Sequence, residues 1–127
     1  WQSLLTVTDP NKAIIGARMQ GNADIVGLGT GPSFASVTDT FVPQVTDENL
    51  TIFDSRSQGT DLDNSIFFDS AYSVINVQKD ILLFAADGDV STTVSFVDQT
   101  YYQVPEPTSL ALLGLGSLLM VRRRRDR

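Results

Sequence analysis

The chain of 127 residues contains no cysteine and no histidine. The absence of cysteine excludes disulfides, thiolate nucleophiles and most zinc sites, and the absence of histidine removes the usual neutral-pH base and a common metal ligand. Aromatic side chains are also scarce, with one tryptophan and three tyrosines. A sugar hydrolase is expected to have an aromatic groove, and these residues are few for building one. The composition therefore favours a noncatalytic protein.

Patterns typical of enzymes are weak in what remains. A serine nucleophile without histidine needs a lysine base, and neither Lys12 nor Lys79 has a recognisable spacing to a serine motif. The glycine-rich stretch at 27–31 has no phosphate-loop spacing, and Pro32 would break a helix beginning there, so it predicts a turn. A carboxylate pair for glycoside hydrolysis stays open, because many acids always permit some pair about 5 to 10 Å apart.

Charge is divided between two parts of the chain. Residues 1–104 carry thirteen acidic and four basic residues, a net charge of −9, whereas residues 105–127 carry a net charge of +3. An acidic domain is a poor partner for nucleic acid or anionic lipid. The sequence therefore predicts one small domain, or most of one, over residues 1–104 that binds no nucleic acid, followed by a distinct C-terminal segment.

Residues 1–104 have the pattern of short strands separated by turn residues. Ala35, Val37 and Phe41 are predicted to share one face, as are Val90, Val94 and Phe96. Predicted strands cover 3–8, 13–19, 23–28, 34–41, 50–53, 65–68, 72–77, 81–85 and 90–102, with a polar loop over 54–64. Regular spacing of this kind predicts an all-β, antiparallel β-sandwich-like domain, with a barrel as the competing fold.

Two acidic turns are candidate calcium sites. Asp61 and Asp63 alternate in one stretch, and Asp87 and Asp89 alternate in another. Alternating carboxylates can direct several oxygens at one calcium ion, although neither stretch completes a twelve-residue calcium loop with its terminal glutamate. The alternative is that both stretches are solvated turns, with no cofactor.

The C-terminal segment contains an apolar run from Leu110 to Val121, in which six of twelve residues are leucine. Its leucine and valine residues contribute about −2 to −4 kcal/mol to membrane insertion, which the glycines and serine partly offset. Twelve helical residues span roughly 18 Å, short of a hydrocarbon core of about 30 Å. We therefore expect a single short membrane helix that contacts lipid and depends on its flanks.

The flanks also predict an orientation. Arg122, Arg123, Arg124 and Arg125 follow the apolar run, and Asp126 and Arg127 lengthen the basic end. Positive charge beside a membrane segment stays cytoplasmic, so these arginines would retain the tail and residues 1–104 would lie outside. A secretory signal has the opposite order and stands at the N-terminus.

The order of these features resembles a known sorting signal. Pro105, Glu106 and Pro107, then a short leucine- and glycine-rich helix, then an arginine cluster, are similar to the PEP-CTERM signal of bacterial surface proteins. The resemblance implies processing by exosortase, a membrane-embedded cysteine protease or transpeptidase, in bacteria that make extracellular polysaccharide. It implies that Pro105, Glu106 and Pro107 are the recognition motif and that residues 105–127 are the sorting signal.

A weaker resemblance concerns the strands before the signal. Residues 76–81 and 94–99 are similar to the terminal hairpin of exported PEP-CTERM proteins, which implies two paired final strands with Gln103 and Val104 as a short linker. Because such a substrate must cross the membrane, and the sequence begins at Trp1 with no signal peptide, we expect such a peptide to be missing from it, together with some of the N-terminal sequence of the domain.

These observations leave two classes of function. The first is a noncatalytic surface or extracellular-matrix protein, exported, transiently anchored in the inner membrane with its domain in the periplasm, and then released to the cell surface or outside. The second is a surface module that binds polysaccharide, with or without calcium. An exposed row of aromatic residues on one sheet face would favour the second, and a convergent carboxylate cleft would favour an unrecognised hydrolase.

Overall fold

The computed structural model describes residues 2–42 and 49–125, without the side chains of 107–110, 124 and 125. Eight strands and one helix form in this part of the chain. They are β1 (Gln2–Thr6), β2 (Lys12–Gly27), β3 (Phe34–Val42), β4 (Leu50–Ser55), β5 (Gly59–Asp61), β6 (Asp63–Tyr72), β7 (Val74–Phe84), β8 (Val90–Pro105) and α1 (Pro107–Arg125).

The strands form two antiparallel sheets that share one core. The larger sheet has the order β1-β7-β3-β4-β5 and the smaller has the order β6-β2-β8. Ile14 and Met19 of the smaller sheet pack in one buried cluster with Val37, Ile52 and Val77 of the larger sheet. The antiparallel, all-β prediction is confirmed, and the described strands form two facing sheets rather than the competing barrel.

The predicted faces are confirmed in β3 but only partly in β8. Ala35, Val37 and Phe41 are all buried. In β8, Val90 is buried, but Phe96 is 51% exposed, so its predicted place on the same face is wrong. Asn22 pairs with Phe96 while Ala23 pairs with Val94, which leaves Ser95 as an extra residue in β8. A bulge of one residue reverses the alternation beyond it and turns Phe96 outward.

Strand β2 is continuous where two strands were predicted. Gln20-Gly21-Asn22 lies within it rather than forming a turn. A Cβ at Gly21 would lie only 2.6 Å from Ile52 Cδ1 and 2.8 Å from the Phe96 carbonyl oxygen. The glycine therefore marks a place where the facing sheet approaches the backbone of β2, which a turn signal in the sequence does not distinguish.

Strand β7 is also continuous where two strands were predicted. Its polar centre at 78–80 pairs with residues 38–40 of β3, and the predicted polar loop over 54–64 includes β5. The predicted terminal hairpin is wrong, because β7 lies in the larger sheet and β8 in the smaller. Gln103 and Val104 are not a linker, since they pair with Ile14 and Ala13 of β2.

We predict that Gly21→Ala destabilises the fold by about 1 to 3 kcal/mol, because the added methyl group would overlap the Ile52 side chain and the backbone oxygen of Phe96. Urea unfolding of the full chain, followed by circular dichroism, measures this change. The matched control is Gly88→Ala, where an added Cβ meets nothing within 4 Å and the glycine has no positive φ. Equal midpoints for the two variants would contradict the close-approach role of Gly21.

Candidate functional site

The motif Pro105-Glu106-Pro107 lies where β8 passes directly into α1. Pro105 is the last residue of β8 and pairs with Lys12, and Pro107 is the first residue of the helix. Both places suit proline, which has no backbone N–H. Neither an edge strand nor the first turn of a helix needs that donor. The Glu106 backbone N–H donates to the Asn11 carbonyl oxygen at 2.8 Å, which fixes the motif to the turn before β2.

Helix α1 presents apolar side chains to solvent along its described length. All side chains from 111 to 123 are exposed, and Leu113, Leu118 and Val121 are each at least 65% exposed. The Ser117 hydroxyl donates to the Leu113 carbonyl oxygen at 2.8 Å, so its polar group has a partner within the helix. Exposed apolar surface of this extent is typical of a segment that contacts another apolar phase.

The structure confirms the predicted helix, which includes Leu110 to Val121. None of the helices in the described residues is both long and apolar enough to cross a membrane. Arg122 and Arg123 are exposed, whereas the side chains of Arg124 and Arg125, and all of Asp126 and Arg127, lie outside the described part. Membrane insertion and retention by the arginines stay predictions.

The first acidic candidate is partly used in contacts within the protein. Asp63 forms a two-pronged ion pair with Arg18, in which Nε lies 2.7 Å from Oδ1. The hydrogen bond from Arg18 lowers the pKa of the Asp63 carboxyl, and the hydrogen bond to Asp63 raises the pKa of the Arg18 guanidinium. Asp61 Oδ1 accepts a hydrogen bond from the Asp63 backbone N–H at 3.4 Å.

The second acidic candidate lies in the turn between β7 and β8. Asp87 Oδ2 accepts a hydrogen bond from the Gly31 backbone N–H at 3.0 Å, and the Asp87 carbonyl oxygen accepts one from the Val90 N–H at 3.1 Å. Asp89 is exposed in the same turn. Among the residues that the structure describes, no three acidic side chains form a group able to hold a metal ion. Calcium binding by Asp61, Asp63, Asp87 and Asp89 stays a prediction.

An aromatic groove of about 560 Å³ lies on the outer face of the larger sheet. Phe34 and Phe84, paired across β3 and β7, stack with ring centroids 5.5 Å apart, and Phe53 of β4 joins them in the lining. Hydroxyl and amide side chains complete it, namely Ser36, Thr51, Ser55, Ser57 and Gln58. The groove therefore combines flat apolar faces with neutral hydrogen-bonding groups.

Sequence reasoning missed this groove because its phenylalanines are distant in sequence. The outward positions of β3 are Phe34, Ser36 and Thr38, which the predicted inward face of Ala35 and Val37 already implied. What could not be inferred was the neighbour across the sheet, since the pairing of Phe34 with Phe84 joins residues fifty positions apart.

A second missed feature is a charged cluster inside the core. Asp39 is fully buried, and the Lys79 Nζ atom lies 2.5 Å from its Oδ1 atom. From the other sheet, Gln99 Nε2 donates to Asp39 Oδ2. Burial, followed by the charge of Asp39, raises the pKa of the Tyr101 hydroxyl. The sequence contained a signal, because Asp39 falls on the same alternating face as Val37 and Phe41.

The similarity of this chain to known proteins lies in its C-terminal tail. Residues 103–125 match the family model of the PEP-CTERM protein-sorting motif. No curated protein matches the chain, and no solved structure matches it. The matched range begins in the last paired residues of β8 and includes all of α1, so it contains both the proline motif and the exposed helix. The C-terminal segment is thus a PEP-CTERM protein-sorting motif, which implies an exported protein processed by exosortase.

Proposed function

We propose that the chain is a noncatalytic surface or extracellular-matrix protein, held briefly in the inner membrane by α1 and released when exosortase cleaves at the proline motif. The observation that carries the proposal is the junction itself, where an edge strand passes through Pro105 and Glu106 into an exposed apolar helix. Only the motif lies between the folded domain and the helix α1 that is proposed to enter the membrane.

The exposed helix supports insertion into lipid. Its described apolar side chains are spread around the helix rather than confined to one face, and a helix apolar all round has no partner in water. Flanking polar residues and arginine stems extend the short apolar run at the two interfaces. In this arrangement the domain lies in the periplasm and the arginines in the cytoplasm.

Recognition of the motif is proposed to depend on Glu106. The two prolines hold the backbone on either side in restricted φ values, and Glu106 is the one charge of the motif. A carboxylate in this place can form a charge-assisted hydrogen bond with an arginine of the processing enzyme. The half-buried position of Glu106 and its backbone bond to Asn11 support a defined presentation to that enzyme.

We predict that Glu106→Gln, or Pro105→Ala with Pro107→Ala, leaves an uncleaved, membrane-bound precursor with a folded domain. The glutamine removes the charge of the contact, and the double alanine variant removes the restricted backbone. Masses of the chain in membrane and secreted fractions should be compared for wild type, variants and a host without exosortase.

The matched control for this experiment is Asp98→Asn, which makes the same change of charge at an exposed position of the same strand. It should be released like wild type. Equal release of the Glu106→Gln variant would mean that the motif is not read through its carboxylate.

We predict that replacing Arg122 to Arg125 with serine weakens membrane retention and impairs processing, since the positive end would no longer hold the tail on the cytoplasmic side. A reporter fused after Arg127 should be active in the cytoplasm for the wild-type tail. Activity of that reporter only outside the cytoplasm would contradict the orientation.

A second candidate function is binding of a neutral polysaccharide in the aromatic groove. Sugar rings present apolar C–H faces to aromatic rings and hydroxyl groups to polar side chains, and the lining contains both kinds of partner. Its described lining residues include no carboxylate, which favours binding over hydrolysis.

We predict that Phe84→Ala weakens binding to the host's extracellular polysaccharide by about fivefold, because the loss of one stacking contact is worth on the order of 1 kcal/mol. Affinity electrophoresis with the purified polysaccharide measures the change. The control is Phe67→Ala on the smaller sheet, outside the groove. Phe67 is also an exposed phenylalanine in an aromatic stack, with its ring centroid 5.5 Å from that of Tyr102. Equal weakening in both variants, or no binding by wild type, would count against the groove.

A further inference from the structure

Asp39 and Lys79 are direct cross-strand neighbours on the inward face of the larger sheet. They pair in the register of β3 and β7, and Lys79 Nζ lies 2.5 Å from Asp39 Oδ1. The exposed fraction is 0% for the Asp39 side chain and 10% for that of Lys79. A primary amine and a carboxyl group are thus in contact in a place that water scarcely reaches.

The carboxyl group is held from two directions. Lys79 contacts one oxygen from the neighbouring strand, and Gln99 Nε2 donates to the other oxygen from the facing sheet. Met19 Sδ lies 3.5 Å from Lys79 Nζ, on the side of the smaller sheet. These contacts hold the Lys79 amine against the carboxyl group of Asp39.

The surroundings keep bulk water away from the two groups, since Asp39 is fully buried and Lys79 nearly so. Desolvation in this part of the core is also visible at Tyr101, whose pKa burial raises. The chain has no cysteine, so no disulfide is available to cross-link its strands.

We propose that Lys79 and Asp39 condense into an intramolecular amide bond that joins β7 to β3. A proton passes from the Lys79 ammonium to Asp39 Oδ1, and the freed nitrogen lone pair attacks Cγ. A second proton passes from nitrogen to the same oxygen, the bond from Cγ to Oδ1 breaks, and one water leaves. No oxidant, cofactor or activated group is consumed.

Gln99 is the positioning residue of this reaction. Its amide N–H points at Oδ2, the oxygen on which negative charge develops when nitrogen attacks Cγ, and a fixed donor there stabilises that charge. Holding the amine against the carboxyl group replaces an encounter in solution by an intramolecular contact, and well-oriented groups of this kind reach effective concentrations on the order of 10⁵ M. The observed contacts therefore supply orientation and charge stabilisation together.

The test is a tryptic digest of the unfolded full chain, purified from a host without exosortase so that the tail stays intact. Trypsin does not cleave after an acylated lysine. We expect residues 19–56, which contain Asp39, joined to residues 57–122 through Lys79, in a fragment lighter than the sum of the two by one water. Without the bond, residues 19–56, 57–79 and 80–122 appear as separate peptides.

Detection of the branched peptide shows the amide bond directly, whereas the intact mass alone does not. Asp87-Gly88 can also lose one water by forming a succinimide, which changes the mass without joining two peptides. Lys79→Arg keeps the cation but removes the primary amine, so the branched fragment should disappear, while Lys12→Arg at the other, exposed lysine should leave it unchanged.

Gln99→Leu should slow formation of the branched fragment at least tenfold in a time course from fresh synthesis, with the unlinked protein still folded by circular dichroism. A wild-type digest that contains only separate peptides would overturn the proposal and leave Asp39 and Lys79 as a buried ion pair. That outcome requires no variant to fold.

Discussion

Close contact between the two sheets is the constraint on which the rest of the structure depends. Strand β2 is the central strand of the smaller sheet, and it presents small residues to the larger sheet between the large side chains of Ile14 and Met19 and beyond them. Gly21 leaves room for the side chain of Ile52, and Ala17 and Ala23 are also buried. Because the small residues of one sheet receive the large residues of the other, the core is filled without a large number of aromatic side chains.

The same contact places the polar cluster. Gln99 and Met19 are neighbours in the smaller sheet, and they face Lys79 and Asp39 of the larger sheet. A buried carboxylate tolerates only a few positions of the facing sheet, because any shift would leave its oxygens without donors. The cluster therefore selects one register of the sandwich, as well as bringing the amine and carboxyl groups together.

The sequence predicted the class of fold and the tail, but not the partners across the sheets. Alternation along one strand reveals which residues point inward, and so Ala35, Val37 and Phe41 were placed correctly. Local sequence pattern does not reveal which distant strands pair. For this reason a terminal hairpin was predicted for β7 and β8, which lie in different sheets. Glycine was ambiguous for a similar reason, since Gly21 serves tertiary packing rather than a turn.

The candidate sites divide in the same way. The proline motif, the apolar run and the arginines are contiguous, so their order alone was informative, and residues 103–125 match the sorting motif as a unit. The aromatic groove and the buried cluster bring together residues of several strands. Local pattern reveals the inward position of Asp39 but none of the partners across the sheets. The ion pair of Asp63 with Arg18 had no signal in the local sequence, because the two residues are forty-five positions apart.

The absence of a linker before the motif has a mechanical consequence. Tension on the tail enters β8 at Pro105 and runs along the strand, which is paired with β2 from Lys12 to Gly27. When the body of the domain is held, the hydrogen bonds of this ladder lie across the direction of pull and share the load. Pulling β8 out of the sheet would require the whole ladder to shear at once. With a flexible spacer before the motif, the force could instead peel the strand from one end.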